Sequence, residues 1–377
     1  MEQFIDFESL LDEESRLVRD TIRDFVDKEF NPIITSYHRE GRFPLHLIPK
    51  MGELGIFGAA MSDYGLPGLS TVPYGLIMQE LERGDSGLRS MASVQNSLVL
   101  FPIHNWGSKE QKDLWIPKLA AGEAVGCYGL TEPDFGSNPG AMRTHIRRGG
   151  KGFVLNGSKA WITNGSLADV AVVWARDEAN GIRGVLVKNG TPGFESRSYE
   201  GKFSLRASDT AELFFNDVEL SETDILPGTS SLKHPFMCLN DARFGIAWGM
   251  IGAAAAVGEH ALAYAKSRIQ FGAKPIASHQ IIQEKLTWMT TEISKSQLLM
   301  FHLSKLKDEG RLHFAQVSLA KRNNVWMARE CARLSREILG AAGIVDDHPV
   351  IRHMMNLESV YTYEGTVSYT HLRAHET

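Results

Sequence analysis

Residues 151–165 read KGFVLNGSKAWITNG, and this stretch decides the fold class. Phe153, Val154 and Leu155 lead into Asn156-Gly157, and Lys159 to Thr163 then runs into Asn164-Gly165. Asn-Gly suits the positive φ angles of two-residue hairpin loops, so the spacing predicts strand, turn, strand, turn. Further short β-prone runs follow at Val170 to Ala175, Gly184 to Val187 and Ala211 to Phe215. Together they predict a small antiparallel β domain over residues 127–236.

On either side of it the period is helical. Leu17, Val18, Ile22, Phe25 and Val26 fall on one stripe with charged residues between them. Pro44, Gly52, Gly55, Gly65, Pro67 and Gly68 divide residues 1–126 into several helices with short loops. Asp85-Ser86-Gly87 is a further break, with Asp85 or Ser86 capping a helix that runs through Val94. After residue 237, Ile281, Ile282, Leu286, Met289 and Ile293 form a stripe behind a cap at Ser278. Gly245, Gly249, Gly252 and the alanines at 253–256 admit a close neighbouring helix. The expected fold class is α+β: a helical domain over 1–126, the β domain, and a helical bundle over 237–377.

Composition narrows the function. A chain of 377 residues suffices for two or three domains. The net charge of −5 is spread with both signs mixed, so neither a nucleic-acid surface nor an anionic-membrane patch is expected. No apolar run of transmembrane length is expected, and the acidic start Met1-Glu2-Gln3-Phe4-Ile5-Asp6 does not resemble a secretory leader. Cys127, Cys238 and Cys331 read as reduced thiols in a cytosol-like compartment, with no metal-ligand spacing. Neither a Rossmann glycine fingerprint nor a P-loop occurs, and no zinc-spaced histidine pair or nucleophile elbow is present.

Four segments carry chemistry. Thr131-Glu132-Pro133 with Gly136-Ser137, and Trp161-Ile162-Thr163-Asn164, put hydroxyls, amides and an aromatic face at strand ends. Such a set suits a planar polar ring, although a strand Trp also serves as core. Arg268-Ile269-Gln270-Phe271-Gly272 offers a guanidinium fork for a diphosphate, or an Arg that answers a helix dipole. Tyr363-Glu364-Gly365-Thr366 sets a carboxylate between an aromatic and a glycine, either as a base of raised pKa or as a solvated surface group.

Taken in order, these segments resemble the acyl-CoA dehydrogenases, and within them glutaryl-CoA dehydrogenases. Glu80-Leu81-Glu82-Arg83, Asp85 to Ser90, Gly201 to Ser208, Lys321-Arg322-Asn323-Asn324 and Arg352-His353 strengthen the likeness, which spans residues 5–366. The resemblance implies a homotetramer with FAD between the β domain and the C-terminal helices. It implies that Thr131 and Thr163 bond the isoalloxazine ring, Trp161 packs on it, and Ser137 meets both FAD and the pantetheine of the substrate. It assigns Arg268, Phe271 and Gln280 to the diphosphate and adenosine across a subunit contact, with Gly340 and Gly343 admitting FAD from the other side. There the family has adjacent glycines where this chain reads Gly340-Ala341-Ala342-Gly343. Arg243 stands near the substrate entrance and Thr366 beside the base. By the same likeness, Glu364 takes the α-proton of an acyl thioester while a hydride leaves the β-carbon for the flavin. Electrons then pass to an electron-transferring flavoprotein. The compartment implied is the cytoplasm in a bacterium or the mitochondrial matrix in a eukaryote.

Arg89 discriminates between substrates. It stands amid Leu88, Met91, Ala92 and Val94, so it should be partly buried, and a buried guanidinium needs an anion. The anion is a substrate carboxylate, or else Glu82 or Asp85 in a structural pair. In glutaryl-CoA dehydrogenases the matching Arg and Ser, here Arg89 and Ser93, bind the distal carboxylate, with Glu82 and Tyr363 in the same network. That implies oxidative decarboxylation of glutaryl-CoA to crotonyl-CoA. The rival readings are a short-chain acyl-CoA dehydrogenase or oxidase without decarboxylation, and an inactive homologue that has lost FAD. The segment after Thr366 lacks the expected apolar period, so the family's final helix is expected to be missing or replaced there.

Overall fold

The computed structural model describes residues 5–150 and 152–365. Seven helices precede the sheet: α1 (Glu13–Phe25), α2 (Ile34–Glu40), α3 (Ile48–Glu53), α4 (Thr71–Gly84), α5 (Ser86–Ser93), α6 (Phe101–Trp106) and α7 (Lys109–Ala120). The strands are β1 (Gly126–Gly129), β2 (His145–Gly149), β3 (Gly152–Thr163), β4 (Val170–Arg176), β5 (Ile182–Lys188), β6 (Phe194–Ser198) and β7 (Thr210–Leu220). The bundle follows with α8 (Lys233–Ser267), α9 (Gln280–Asp308), α10 (Phe314–Leu339) and α11 (Val350–Thr362).

The strands lie in the order β1-β4-β2-β3-β7-β6, with β5 on the free side of β4. Most pairings are antiparallel, while β1 runs parallel to β4 and β2 meets β4 in one parallel bridge. Strand β4 shows how the sheet joins the helices. Val170, Val172 and Trp174 enter the large helical core, and Ala171, Val173 and Ala175 enter a second core on the opposite face. That is the two-residue alternation of a strand buried on both sides.

The stretch quoted first folds differently from its hairpin reading. Residues 152–163 form one long strand, and the register with β7 slips between Leu155 and Gly157. Asn156-Gly157 is therefore a bulge. Gly157 has φ 140°, and a Cβ there would lie 2.5 Å from Oγ1 of Thr144. The Asn156 side chain locks the bulge by bonding Oδ1 of Asp217 at 3.0 Å and accepting its N–H at 2.9 Å. Asn164, with φ 64°, does turn the chain out of the sheet.

Two helical readings also shift. The α9 helix starts at Gln280 with His279 at the cap position and no side-chain capping bond, so Ser278 is not the cap, and Ile281 is 65% exposed while Met289 and Ile293 are buried. By length and composition α8 can cross a membrane, contrary to the expected absence of such a run, but its apolar window is mostly buried within the protein. The glycines of α8 allow this burial. A Cβ on Gly252 would lie 1.9 Å from the carbonyl oxygen of Gln79 in α4.

Asp85 caps α5 by accepting the Gly87 N–H at 2.7 Å. Its Oδ2 also accepts from Arg352 at 2.5 Å and Asn356 at 2.9 Å, both on α11. This buried ion pair ties the α4–α5 break to α11, the helix that leads into Glu364. Removing one partner of such a pair costs about 3–5 kcal/mol. Asp85→Ala should therefore lower unfolding free energy by about that much in denaturant titration, and Asp85→Asn by clearly less, because Asn keeps the cap.

Candidate active site

A cleft of about 990 Å³ opens between the sheet and helices α5, α8, α10 and α11. Its floor carries Glu364. Helix α11 stops at Thr362, Tyr363 turns extended, and Glu364 takes φ 52°, followed by Gly365 at φ 95°. Glu364 thus occupies the left-handed position after a helix end that glycine usually fills. An L-residue there costs roughly 1–2 kcal/mol, so surrounding contacts must hold it.

Those contacts come from two cations. Arg243 Nε donates to the Glu364 carbonyl at 2.6 Å. Lys321 Nζ donates to the carbonyls of Tyr363 at 3.0 Å and Gly365 at 2.9 Å. A Cβ on Gly365 would lie 2.8 Å from Nη2 of Arg243, and the φ of 95° is one that residues with side chains rarely adopt. The Glu364 side chain is enclosed, and its Oε2 has no hydrogen-bond partner among the described residues. Burial raises its pKa above the usual carboxylate value, with Arg89, Lys321 and Arg243 opposing. A carboxylate in that state can accept a proton from a weak carbon acid.

Arg89 is wholly buried, as expected, and lies in the cleft wall. Its Nε pairs with Glu82 Oε2 at 2.5 Å, and it also donates to the Tyr363 hydroxyl. Asp85 does not take part, being bound to Arg352. The remaining guanidinium nitrogen of Arg89, Nη1, has no partner among the described residues. Ser93 is buried behind this group and does not line the cleft, where Ser90 stands instead. Burial pushes the Tyr363 hydroxyl up to about 12, with Arg89 opposing, so it remains a neutral donor.

The opposite wall is flat and polar. The register between β3 and β7 slips again between Lys159 and Ile162, and Trp161 within that slip has φ 61°. The bulge turns its indole outward, 62% exposed, against Tyr199 with ring centroids 4.3 Å apart and planes 10° from parallel. Thr131, Ser137 and Thr163 line the same wall. Glu132 holds the Thr131 loop in place. It accepts the N–H groups of Arg143 at 2.7 Å and Thr144 at 2.9 Å, and pairs with buried Lys159 at 2.9 Å. Arg268, Phe271, Gln280, Gly340 and Gly343 are not part of this cleft wall. Phe271 is 92% exposed, and Gly340 has open space where its Cβ would stand. Thr366 lies outside the described residues.

Family models for the N-terminal, middle and C-terminal domains of acyl-CoA dehydrogenase match residues 12–123, 127–218 and 235–373. The chain belongs to the acyl-CoA dehydrogenase family. The C-terminal match reaches beyond Thr366, where the likeness was expected to end. The short-chain specific acyl-CoA dehydrogenase of Bos taurus mitochondria is 36% identical over 363 residues, covering 94% of this chain and 88% of its own. A glutaryl-CoA dehydrogenase from Mycobacterium smegmatis, solved with FADH2, is 47% identical with a TM-score of 0.97 and covers 99% of this chain and 96% of its own. Another structure of glutaryl-CoA dehydrogenase from that organism is 51% identical with a TM-score of 0.95, covering 97% and 94%.

FAD is the cofactor of this enzyme, and the cleft fits it. The exposed indole of Trp161 offers a face for a planar ring, and Thr131 and Thr163 offer hydroxyls at its edge. Among the described residues no cluster of three His, Cys, Asp or Glu is placed to hold a metal.

Residue-type reasoning passed over Lys321, noted only as part of a family-like block. Val317, Ala320, Asn324, Val325 and Ala328 of α10 are all buried, so Lys321 stands on the apolar stripe of its helix. A lysine on such a stripe is the signal that reveals it.

The raised pKa of Glu364 has a stability consequence with a definite sign. Below the unfolded carboxylate value both states are protonated and no penalty arises; as pH climbs through the folded value, the penalty becomes complete. Glu364→Gln should therefore raise the thermal midpoint at about pH 8 and leave it nearly unchanged at about pH 4. Equal shifts at both would remove the electrostatic explanation.

Proposed function

We propose that this enzyme oxidises glutaryl-CoA and decarboxylates the product to crotonyl-CoA and CO2. The carrying observation is Arg89, a fully buried guanidinium in the cleft wall whose Nη1 has no partner and whose Nη2 meets the tyrosine preceding Glu364. Glu82 balances its charge, while the open N–H edge suits the distal carboxylate of a short dicarboxylic thioester. Bound that way, the acyl chain lies along the wall from Arg89 to Glu364.

Glu364 takes the α-proton onto its carboxylate. Bound FAD supplies the hydride acceptor for the β-carbon. The product's carboxylate on the γ-carbon is then vinylogous to the thioester carbonyl; the bond from the γ-carbon to the carboxylate breaks, CO2 leaves, its electron pair passes into the dienolate, and the dienolate takes a proton back from Glu364. Thr131, Ser137, Trp161 and Thr163 hold the flavin end of FAD. Arg268, Phe271, Gln280 and Gly340 are exposed for the adenosine diphosphate half of a neighbouring subunit's cofactor, with buried Gly343 closing the turn behind Gly340, and a homotetramer supplies that neighbour. Arg243 stands at the substrate entrance and also grips the base's backbone. Electrons leave for an electron-transferring flavoprotein.

A second reading has its own support. Arg89 already has Glu82 as a partner, so its charge is met without a substrate carboxylate, and the bovine relative is a short-chain specific enzyme. Anaerobic bleaching of bound flavin decides between them. Glutaryl-CoA should bleach it and release CO2, and Arg89→Gln should slow glutaryl-CoA about 100-fold more than butyryl-CoA. Comparing the two substrates cancels any general damage from leaving Glu82 unpaired. Equal losses, or bleaching by butyryl-CoA alone, would establish the short-chain reading.

A further inference from the structure

Three consecutive carbonyls around Glu364 end on cations drawn from two different helices. Lys321 of α10 binds those of Tyr363 and Gly365, and Arg243 of α8 binds that of Glu364. The loop they hold is the one that puts Glu364 at φ 52°. Lys321 itself is fully buried in the helical bundle. A buried ammonium is costly, and a purely structural donor to two carbonyls does not need its charge.

We propose that Lys321 is a positioning residue for the base: it fixes the Tyr363-Glu364-Gly365 backbone and holds a counter-charge beside the Glu364 carboxylate. The proposal rests on Glu364 being the base. Because a trans peptide sets its C=O and N–H in opposite directions, pinning the Tyr363 carbonyl also fixes the Glu364 N–H on the face turned away from Lys321. Small errors in such a loop misplace the carboxylate relative to the α-carbon, and a shift of about 1 Å costs on the order of 100-fold in rate.

The electrostatic half is reciprocal. Burial lowers the pKa of Lys321 to about 7, with Glu364 opposing and Arg243 and Arg89 reinforcing. Conversely, Lys321 is one of three cations that restrain the rise in the Glu364 pKa. The other ionisable groups whose charges act between themselves and Glu364 are Arg89 on α5, Arg243 and Asp241 on α8, Tyr74 on α4, Tyr128 on β1 and Tyr363. Deleting Lys321 removes one cation from this set, so the carboxylate should hold its proton to higher pH.

The test uses purified holoenzyme and Lys321→Met. Flavin content per chain should stay normal, the anaerobic reduction rate at neutral pH should fall about 100-fold, and the acid limb of the rate–pH profile should move to higher pH. A readout independent of turnover is a stability cycle of Lys321→Met with Glu364→Gln followed from about pH 6 to about pH 8, where the two changes should be non-additive while Lys321 holds its charge and should approach additivity as that charge is lost. Lys321→Gln keeps N–H donors without charge. It should recover part of the rate yet retain the shifted acid limb, and it carries the test if the Met variant does not fold. An unmoved acid limb with additive stabilities would overturn the proposal, whatever the rate. Glu364→Gln alone separates the two ideas, since near-normal flavin reduction by that variant would refute the base assignment rather than the clamp.

Discussion

The buried pair between Asp85 and Arg352 is the contact to which the rest of the site is referred. Asp85 breaks the chain between α4 and α5, caps the second helix, and receives both Arg352 and Asn356 from α11. One side of that joint leads to Arg89, four residues into α5. The other leads along α11 to Tyr363 and Glu364. Tyr363 closes the loop by accepting from Arg89. The guanidinium in the cleft wall and the candidate base are therefore braced by one joint, although 275 positions separate them in the sequence.

Around the base, the charges are arranged in opposition. Burial alone pushes the Glu364 pKa upward and favours its protonated form. Arg89, Lys321 and Arg243 counter that tendency, and Asp241 adds to it. Oε2 of the Glu364 carboxylate has no hydrogen-bond partner among the described residues. Lys321 Nζ and Arg243 Nε donate to backbone carbonyls of the same loop. The carboxylate is thus stabilised at a distance while its oxygen stays open to a carbon-bound proton.

Much of this arrangement was legible in the chain. The change of period near residue 127 and the return of helices near 237 correspond to strands that span Gly126–Leu220 and a bundle that begins at Lys233. The burial of Arg89 and its need for an anion were readable because it stands among leucine, methionine and alanine, whereas its link to Tyr363 was implied only by the family resemblance. What failed did so for local reasons. Asn156-Gly157 carries the composition of a hairpin turn, but cross-strand pairing with Asp217 turned it into a bulge, and tertiary pairing outranks dipeptide preference. The role of Lys321 stayed hidden because its two partners are backbone carbonyls more than 40 positions away, which no side-chain motif encodes.

Backbone strain ties these observations together. Three non-glycine residues that line the cleft have positive φ: Trp161 at 61°, Leu205 at 51° and Glu364 at 52°. Each is held by a different device. A bulge sets Trp161, and two cations pin Glu364. Leu205 donates its N–H at 2.9 Å to Asn356, which itself donates to Asp85. Each such residue costs of order 1–3 kcal/mol, so it persists only where its surroundings leave no alternative. The joint at Asp85 thus reaches the cleft by two routes, through Arg352 and α11 to the base, and through Asn356 to the loop facing it. One buried carboxylate braces both the base and the Leu205 loop, while the bulge and Glu132 set the wall that carries Trp161.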